Sequence, residues 1–273
     1  MNIDEILGQL PDMTKAKTGG GSGTTYQAPP EGPVLLRLVS YIELGNHNET
    51  YLGEAKKVNK VQLVFELHGK NYPVTNGVPM RITCEETLSY HEKANFKKLF
   101  MSMRNGDESV KHPAQLVGRG FKGKVFHKKW NKDGQEKVIA QLRNTTGYSI
   151  GPAVAEDPET GETRAINVPT QVSPSKIFIW DHATKEAWDS LFIEGTYNDG
   201  NSKNRVQEKI LAANNYKGSK LFGLLNGLEE LPKPQSVELR PAPRYARNPR
   251  TVQASTPAVN LDFDDNIFDE GNE

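Results

Sequence analysis

Apolar and polar residues alternate along residues 34–44, VLLRLVSYIEL, and the alternation predicts a long strand. Leu36, Leu38, Ile42 and Leu44 fall on one side. Arg37, Tyr41 and Glu43 fall on the other, with Val39 among them. Gly45–Asn46 reads as its end. A second strand is predicted within residues 50–67, with Val61, Leu63, Phe65 and Leu67 inward and Lys60, Gln62 and Glu66 outward. A third covers Val78 to Thr83. The period then changes in EETLSYHEKANFKKLFMSMR, where Leu88, Phe96, Leu99, Phe100 and Met103 recur at helical spacing and Gly106 ends the run. Two more strands follow. One is Ala114 to Trp130, whose glycines permit a bend; the other is Lys137 to Leu142, reached through the turn NKDG at 131–134.

The predicted order is three strands, a helix and two strands. A five-stranded OB-type β-barrel has that order, with its helix between strands 3 and 4. A small β-sandwich matches the strand count but not the placement of the single helix. Residues 151–175 are polar and Pro-rich and read as a long loop or hairpin excursion. KIFIW (176–180) reads as another strand, and 185–192 and 204–215 as helices of a C-terminal α-helical appendage. At the N-terminal side, residues 2–10 suit a short amphipathic helical turn with Ile3, Ile6, Leu7 and Leu10 on one side. TGGGSGTTYQAPPEGP (18–33) then reads as flexible. The fold class expected is therefore mainly β, with disordered tails. The expected parts are a flexible segment 1–33, a folded domain 34–230 with its helical extension from about 176, and a Pro- and Arg-rich linker with a tail over 231–273.

Composition narrows the function. Hydrophobic residues are 36% of 273 and mean hydropathy is −0.64, lean enough to support the reading of unfolded ends. No apolar run approaches the roughly 18 residues of a membrane span, and the first residues lack the basic start and apolar stretch of a signal peptide, so a cytoplasmic protein is expected. Net charge is zero, but residues 34–150 hold 19 Lys and Arg against 11 Asp and Glu, a net of +8. The segments 1–33, 151–230 and 231–273 carry −2, −4 and −2. A basic segment in a neutral chain suits an anionic partner, and equally an ordinary solvated surface. None of the phosphate-loop, dinucleotide, nucleophile-elbow or zinc-protease motifs is present, and no His pair has close metal-ligand spacing. The single cysteine, Cys84, reads as a small buried hydrophobe. No enzyme activity, metal or cofactor is expected.

The basic segment carries the candidate chemistry. Lys122, Lys124, Lys128, Lys129 and Lys132 interleave with Phe121, Phe126 and Trp130 on one strand. Cations neutralise phosphates, and aromatic faces stack on unpaired bases. Alternation places Lys122, Lys124, Phe126, Lys128 and Trp130 on one face and Phe121, Val125 and His127 on the other, unless a bulge at Gly123 switches them. Phe126 and Trp130 are equally suited to core or edge packing. Further candidates for single-stranded DNA binding are Arg37 and Tyr41, Tyr51, Lys56, Lys57 and Lys60, Arg81, and Arg143 with Tyr148 at the exit of the last barrel strand. The tail offers a different chemistry. Asp262, Asp264, Asp265, Asp269 and Glu270 alternate with Phe263, Ile267 and Phe268, the pattern of a short protein-interaction motif steered by charge and anchored by apolar groups.

Taken together, GPVLLRLVSYIELG (32–45), YLGEAKKVNKVQLVFEL (51–67), the helix after the third strand and the tail LDFDDNIFDEGNE (261–273) make the chain resemble bacteriophage-encoded single-stranded DNA-binding proteins with an OB fold. The resemblance covers residues 32–225 as an order of elements, plus the tail. It implies a protein that coats single strands in phage replication, recombination and repair within the host cytoplasm. It also implies an acidic tail that recruits the phage polymerase or other replisome proteins and competes with DNA for the groove. One departure is that the tail does not end in an aromatic residue; Phe268 is the nearest. Homo-oligomers are compatible with this reading, and a membrane partner is not expected. The competing readings are a virion or scaffold β-barrel making only protein contacts, an RNA-binding OB protein, and a nuclease, which the missing metal ligands disfavour.

Overall fold

In a computed structural model of the chain, the residues described are 28–231, apart from Leu52, Asp133, Asn198 and Asp199. The architecture is mainly β, built on antiparallel pairing. β1 (Gly32–Tyr51), β2 (Glu54–His68), β3 (Arg81–Thr87), β4 (Gly120–Lys132) and β5 (Gln135–Gln141) join in the order β3-β2-β1-β4-β5. The helix α1 (Asn95–Arg104) lies between β3 and β4 in sequence and buries Phe96, Leu99, Phe100 and Met103. It ends at Asn105, whose left-handed backbone returns an N–H to the Met101 carbonyl.

The five-strand path is open. Among the described residues no ladder joins β3 to β5, so the closed barrel expected from the element order is not present as hydrogen-bonded pairing. Side chains span the gap instead. Glu86 on β3 accepts from Arg143 Nη1 at 2.7 Å and from the Tyr148 hydroxyl at 2.6 Å, both just beyond β5. These two residues form the short pairs β6 (Arg143–Asn144) and β7 (Gly147–Tyr148). Burial, with the neighbouring Cys84 and Glu86, holds the Tyr148 hydroxyl far above its usual titration range, so it remains a donor.

β1 is longer than its hydrophobic pattern indicates, and it serves two cores. Its first half supplies Leu36 and Leu38 to the main core with Leu63, Phe65, Leu67, Ile82, Phe121 and Val125. A register shift between Leu38 and Ser40 inserts one extra residue, and the alternation reverses beyond it. Tyr41 therefore points into the main core, while Ile42 and Leu44 face a second core with Phe178, Trp188, Leu191, Ile210 and Tyr216. Gly45 does not end the strand. It sits at a second register shift with φ +82°, where any side chain would overlap the Trp180 ring, and pairing continues to Tyr51.

Of the two forms expected for residues 151–175, a long loop or a hairpin excursion, the structure has a short hairpin, with further pairing on either side. β8 (Ile150–Pro152) pairs with β4, β9 (Val154–Glu156) with β10 (Thr163–Ala165), and β11 (Lys176–Phe178) runs parallel to Ser40–Ile42 of β1. The helices α2 (Lys185–Ser190), α3 (Arg205–Leu211) and α4 (Lys220–Leu224) form the second core against β1 and β11. The helical run predicted from residue 85 begins instead at Asn95. Residues 81–87 alternate Ile82, Cys84 and Glu86 inward and pair with β2 as a strand. No helix among the described residues is long and apolar enough to cross a membrane.

Candidate nucleic-acid interface

β4 and β5 form a hairpin turned at Gly134, with φ +75°. Their register sets Phe126 opposite Gln141, Lys128 opposite Ile139 and Trp130 opposite Lys137. Directly opposed residues share a face, so this face carries Phe126, Lys128, Trp130, Lys137 and Ile139; Lys124, paired with Pro33 of β1, falls on the same side by alternation along β4. Trp130 is 42% exposed and Ile139 44%, high values for large apolar side chains. The Lys124 ammonium lies 5.3 Å from the centre of the Phe126 ring, close enough for cation–π attraction. A groove of about 540 Å³ at the base of the hairpin is lined by Glu31, Phe126, Lys128, Gln141 and Arg143. A second cavity, of about 590 Å³, is lined by Pro33, Leu35, His68, Tyr148 and Ile166, with Lys122 at its edge.

The candidates from sequence divide sharply. Lys124, Phe126, Lys128 and Trp130 stand together on the hairpin face. Lys129 falls on the other side of β4 and lies 3.3 Å from Glu136. Lys122 is exposed and donates to the Val154 carbonyl at 2.6 Å. Lys56 and Lys57 are exposed in β2, opposite Glu49 and Asn48, and Tyr51 pairs with Glu54 at the end of the same arm. Lys60 is bound 2.7 Å from Glu49; its hydrogen bond to that carboxylate lowers the Glu49 pKa. Arg81 is exposed at the start of β3.

Four candidates have other work. Tyr41 is fully buried and donates to Glu43 at 2.9 Å, so its ring is not available to a base. The extra residue at Val39 is the reason: it moves Tyr41 off the polar side that simple alternation assigned. Arg37 donates to the carbonyls of Gly118, Val168 and Pro169. Arg143 and Tyr148 hold Glu86, as above. The tail residues Asp262, Phe263, Asp264, Asp265, Ile267, Phe268, Asp269 and Glu270 lie outside the described residues.

Sequence reading missed Lys137 and Ile139. The NKDG turn held the signal, because a hairpin closing there sets residue 130 against 137 and 128 against 139.

Arg37 is one half of a clasp. Its cross-strand partner Glu66 is fully buried and accepts from the backbone N–H groups of Val172 (2.7 Å) and Ser173 (2.8 Å). Together they pin residues 168–173 across β1 and β2. Burial works to raise the Glu66 pKa, and the N–H groups of Ser173 and Val172 outweigh it, leaving the carboxyl below its ordinary value. A depressed folded pKa stabilises above the unfolded value and loses that contribution as pH falls through the folded one. Glu66→Gln is therefore expected to cost most near neutrality. The gap between variant and wild type should narrow below about pH 4.5, the ordinary carboxyl range. Urea midpoints measured from pH 7 to pH 3 check this; a gap that stays constant or widens on acidification contradicts it.

Among the described residues no group of three or more His, Cys, Asp or Glu side chains is placed to hold a metal ion. Cys84 is buried, and burial pushes its thiol up to about 12, so it is a packing residue. In comparisons with known proteins, no family model, no curated sequence and no solved structure matches the chain.

Proposed function

We propose that this protein binds single-stranded nucleic acid, DNA in the first instance, along the outer face of the β4–β5 hairpin, on a scaffold of OB type. The observation that carries the reading is the hairpin face itself. Two aromatic rings, two lysines and an exposed isoleucine share one side of a two-stranded ribbon, with Lys124 on the same side at its base. Bases stack on the rings without regard to sequence, and the ammonium groups follow the phosphates. A duplex hides its base faces and offers only phosphates, so single strands gain more. The OB assignment is supported by the strand order β3-β2-β1-β4-β5, by α1 between β3 and β4, and by the Glu86 bridge across the remaining gap.

The test is a titration with single-stranded DNA, duplex DNA and RNA of equal length across a range of salt. Single strands should be preferred over duplex, with little dependence on sequence, and log affinity should fall with log salt at about −0.7 per neutralised phosphate. Equal affinity for duplex and single strands at moderate salt overturns the reading. Undiminished or higher affinity for RNA moves it to an RNA-binding protein.

The tail reading extends the proposal to partners. Six acidic groups and no basic one lie in residues 261–273. A linker of about 30 residues has a root-mean-square reach on the order of 30 Å, enough to return the tail to the domain at millimolar effective concentration. Removing 261–273 is expected to raise single-strand affinity at low salt and to abolish recruitment of a replication protein such as a polymerase. Replacing Phe263 and Phe268 should damage partner binding more than DNA affinity. A truncated protein that binds DNA and partners like the full chain contradicts this.

A further inference from the structure

The β4–β5 ribbon has two edges, and they differ. His127 gives its backbone N–H to the Glu31 carboxylate at 2.6 Å, away from β5. Opposed residues of an antiparallel pair exchange both hydrogen bonds or neither, in alternation along the ladder. Phe126, Lys128 and Trp130 therefore bond to Gln141, Ile139 and Lys137. Glu136, Val138 and Ala140 turn their backbone N–H and C=O groups to the far edge of β5. Among the described residues β5 pairs with β4 alone, so no strand meets that edge. The edge of β4 over residues 127–132 is guarded against a second copy of itself. Glu31 caps its first N–H. Antiparallel pairing about Lys129 sets that lysine against itself, and pairing about Trp130 sets Lys128 against Lys132.

The edge of β5 carries no such guard. QEKVIAQ (135–141) has no proline, no bulge in its ladder and one charge of each sign. Charge selects a register for pairing with a second copy. A pair centred on Glu136 opposes two glutamates, and one centred on Lys137 opposes two lysines. A pair centred on Ile139 runs past the end of β5 to Leu142 and Arg143, which are held by the main core and by Glu86. Centred on Val138, the pair sets Val138 against Val138, Lys137 against Ile139 and Glu136 against Ala140, with no like charges opposed. The outward backbone groups of Glu136, Val138 and Ala140 then meet one another. The two Ile139 side chains become diagonal neighbours, each beside the methylene stem of the other copy's Lys137. In the single chain Ile139 is exposed and Val138 half-buried.

We infer that two copies of this chain associate through their β5 edges, antiparallel about Val138, into a four-stranded sheet in the order β4-β5-β5-β4. The same surface serves both copies, so the contact closes on a two-fold axis and does not grow into a filament. Both Trp130 rings stand on the same side of the joined sheet as both Ile139 side chains. Two seven-residue edges bury less than about 1,200 Å², which sets a weak dimer that depends on concentration. The inference rests on register and charge alone, and not on what the lysine–aromatic face binds.

The test is sedimentation velocity of the full chain without nucleic acid, over a concentration series reaching hundreds of micromolar. A monomer–dimer equilibrium is expected. Val138 lies opposite Lys129 within the ribbon, so Val138→Glu adds an attractive pair to the hairpin and a repulsive one to the dimer. It should raise the dimer dissociation constant about tenfold or more and leave the urea midpoint unchanged. Val138→Lys should also weaken the dimer. A one-to-one mixture of the Glu and Lys variants should restore association to within about threefold of the wild type, because opposite charges then meet at the axis. Cross-linking reads the register. Val138→Cys should form a disulfide-linked dimer under mild oxidation, its two Cα atoms being about 5.5 Å apart. Gln135→Cys should not, because its two copies lie about 20 Å apart. Cys84 is buried with a raised thiol pKa and takes no part. A monomer at every concentration overturns the inference. So does a dimer that Val138→Glu leaves intact, a pair of charged variants that mixing fails to restore, or equal cross-linking at positions 135 and 138.

Discussion

Trp130→Ala is expected to weaken single-strand binding by about 1–3 kcal/mol, roughly 5- to 150-fold, and to leave the fold intact. Trp130 is 42% exposed, belongs to neither buried core, and lies next to the end of β4 opposite Lys137. Its removal opens no cavity, so the change in unfolding free energy should stay within about 0.5 kcal/mol. The loss of binding should persist at high salt, because stacking does not release counterions. Lys128→Gln should behave oppositely, with a smaller salt slope and a modest loss that shrinks as salt rises. Fluorescence titration of the wild type and anisotropy titration of the variants, at two salt concentrations, separate the two behaviours. A large drop in the urea midpoint of Trp130→Ala would show that the ring packs rather than binds.

Glu86→Leu is expected to destabilise the protein by about 2–3 kcal/mol. The carboxylate is nearly buried and ties β3 to residues beyond β5 where no backbone ladder does so. Leucine fills the volume but leaves the Tyr148 hydroxyl without its acceptor. Arg143, being 46% exposed, recovers part of its hydration, which keeps the cost below that of a fully buried pair. The effect should be local as well as global: amide exchange in β3 should quicken more than in β2, which is paired on both sides. A variant as stable as the wild type would mean that the gap between β3 and β5 is held by apolar packing alone.

Much of the strand order was legible because the main core reports itself by alternation. Leu36, Leu38, Leu63, Phe65 and Leu67 are all buried as their period predicts. What alternation cannot see is an extra residue. The shift at Val39 changes no composition, yet it exchanges the destinations of Tyr41 and Ile42 and gives β1 a second core to serve. The clasp on residues 168–173 was hidden for another reason. Arg37 and Glu66 read as polar outward residues, and only the long-range return of a Pro-rich segment gives them their hydrogen-bond partners, burying Glu66 and partly covering Arg37. In the hairpin, one strand of the face was visible from β4 alone; the other required the register.

The central claim is that nucleic acid lies on the β4–β5 face. Photo-crosslinking of a single-stranded oligonucleotide carrying 5-iodouracil, followed by mapping of the modified peptides in the full chain, tests it most directly. Iodouracil reacts with aromatic side chains in stacking contact. Adducts should fall at Phe126 and Trp130, should diminish with added salt, and should vanish when unlabelled single strands but not duplex are in excess. Adducts confined to other aromatic residues, such as Tyr197 or Phe192 of the helical region, with none on β4, would contradict the account.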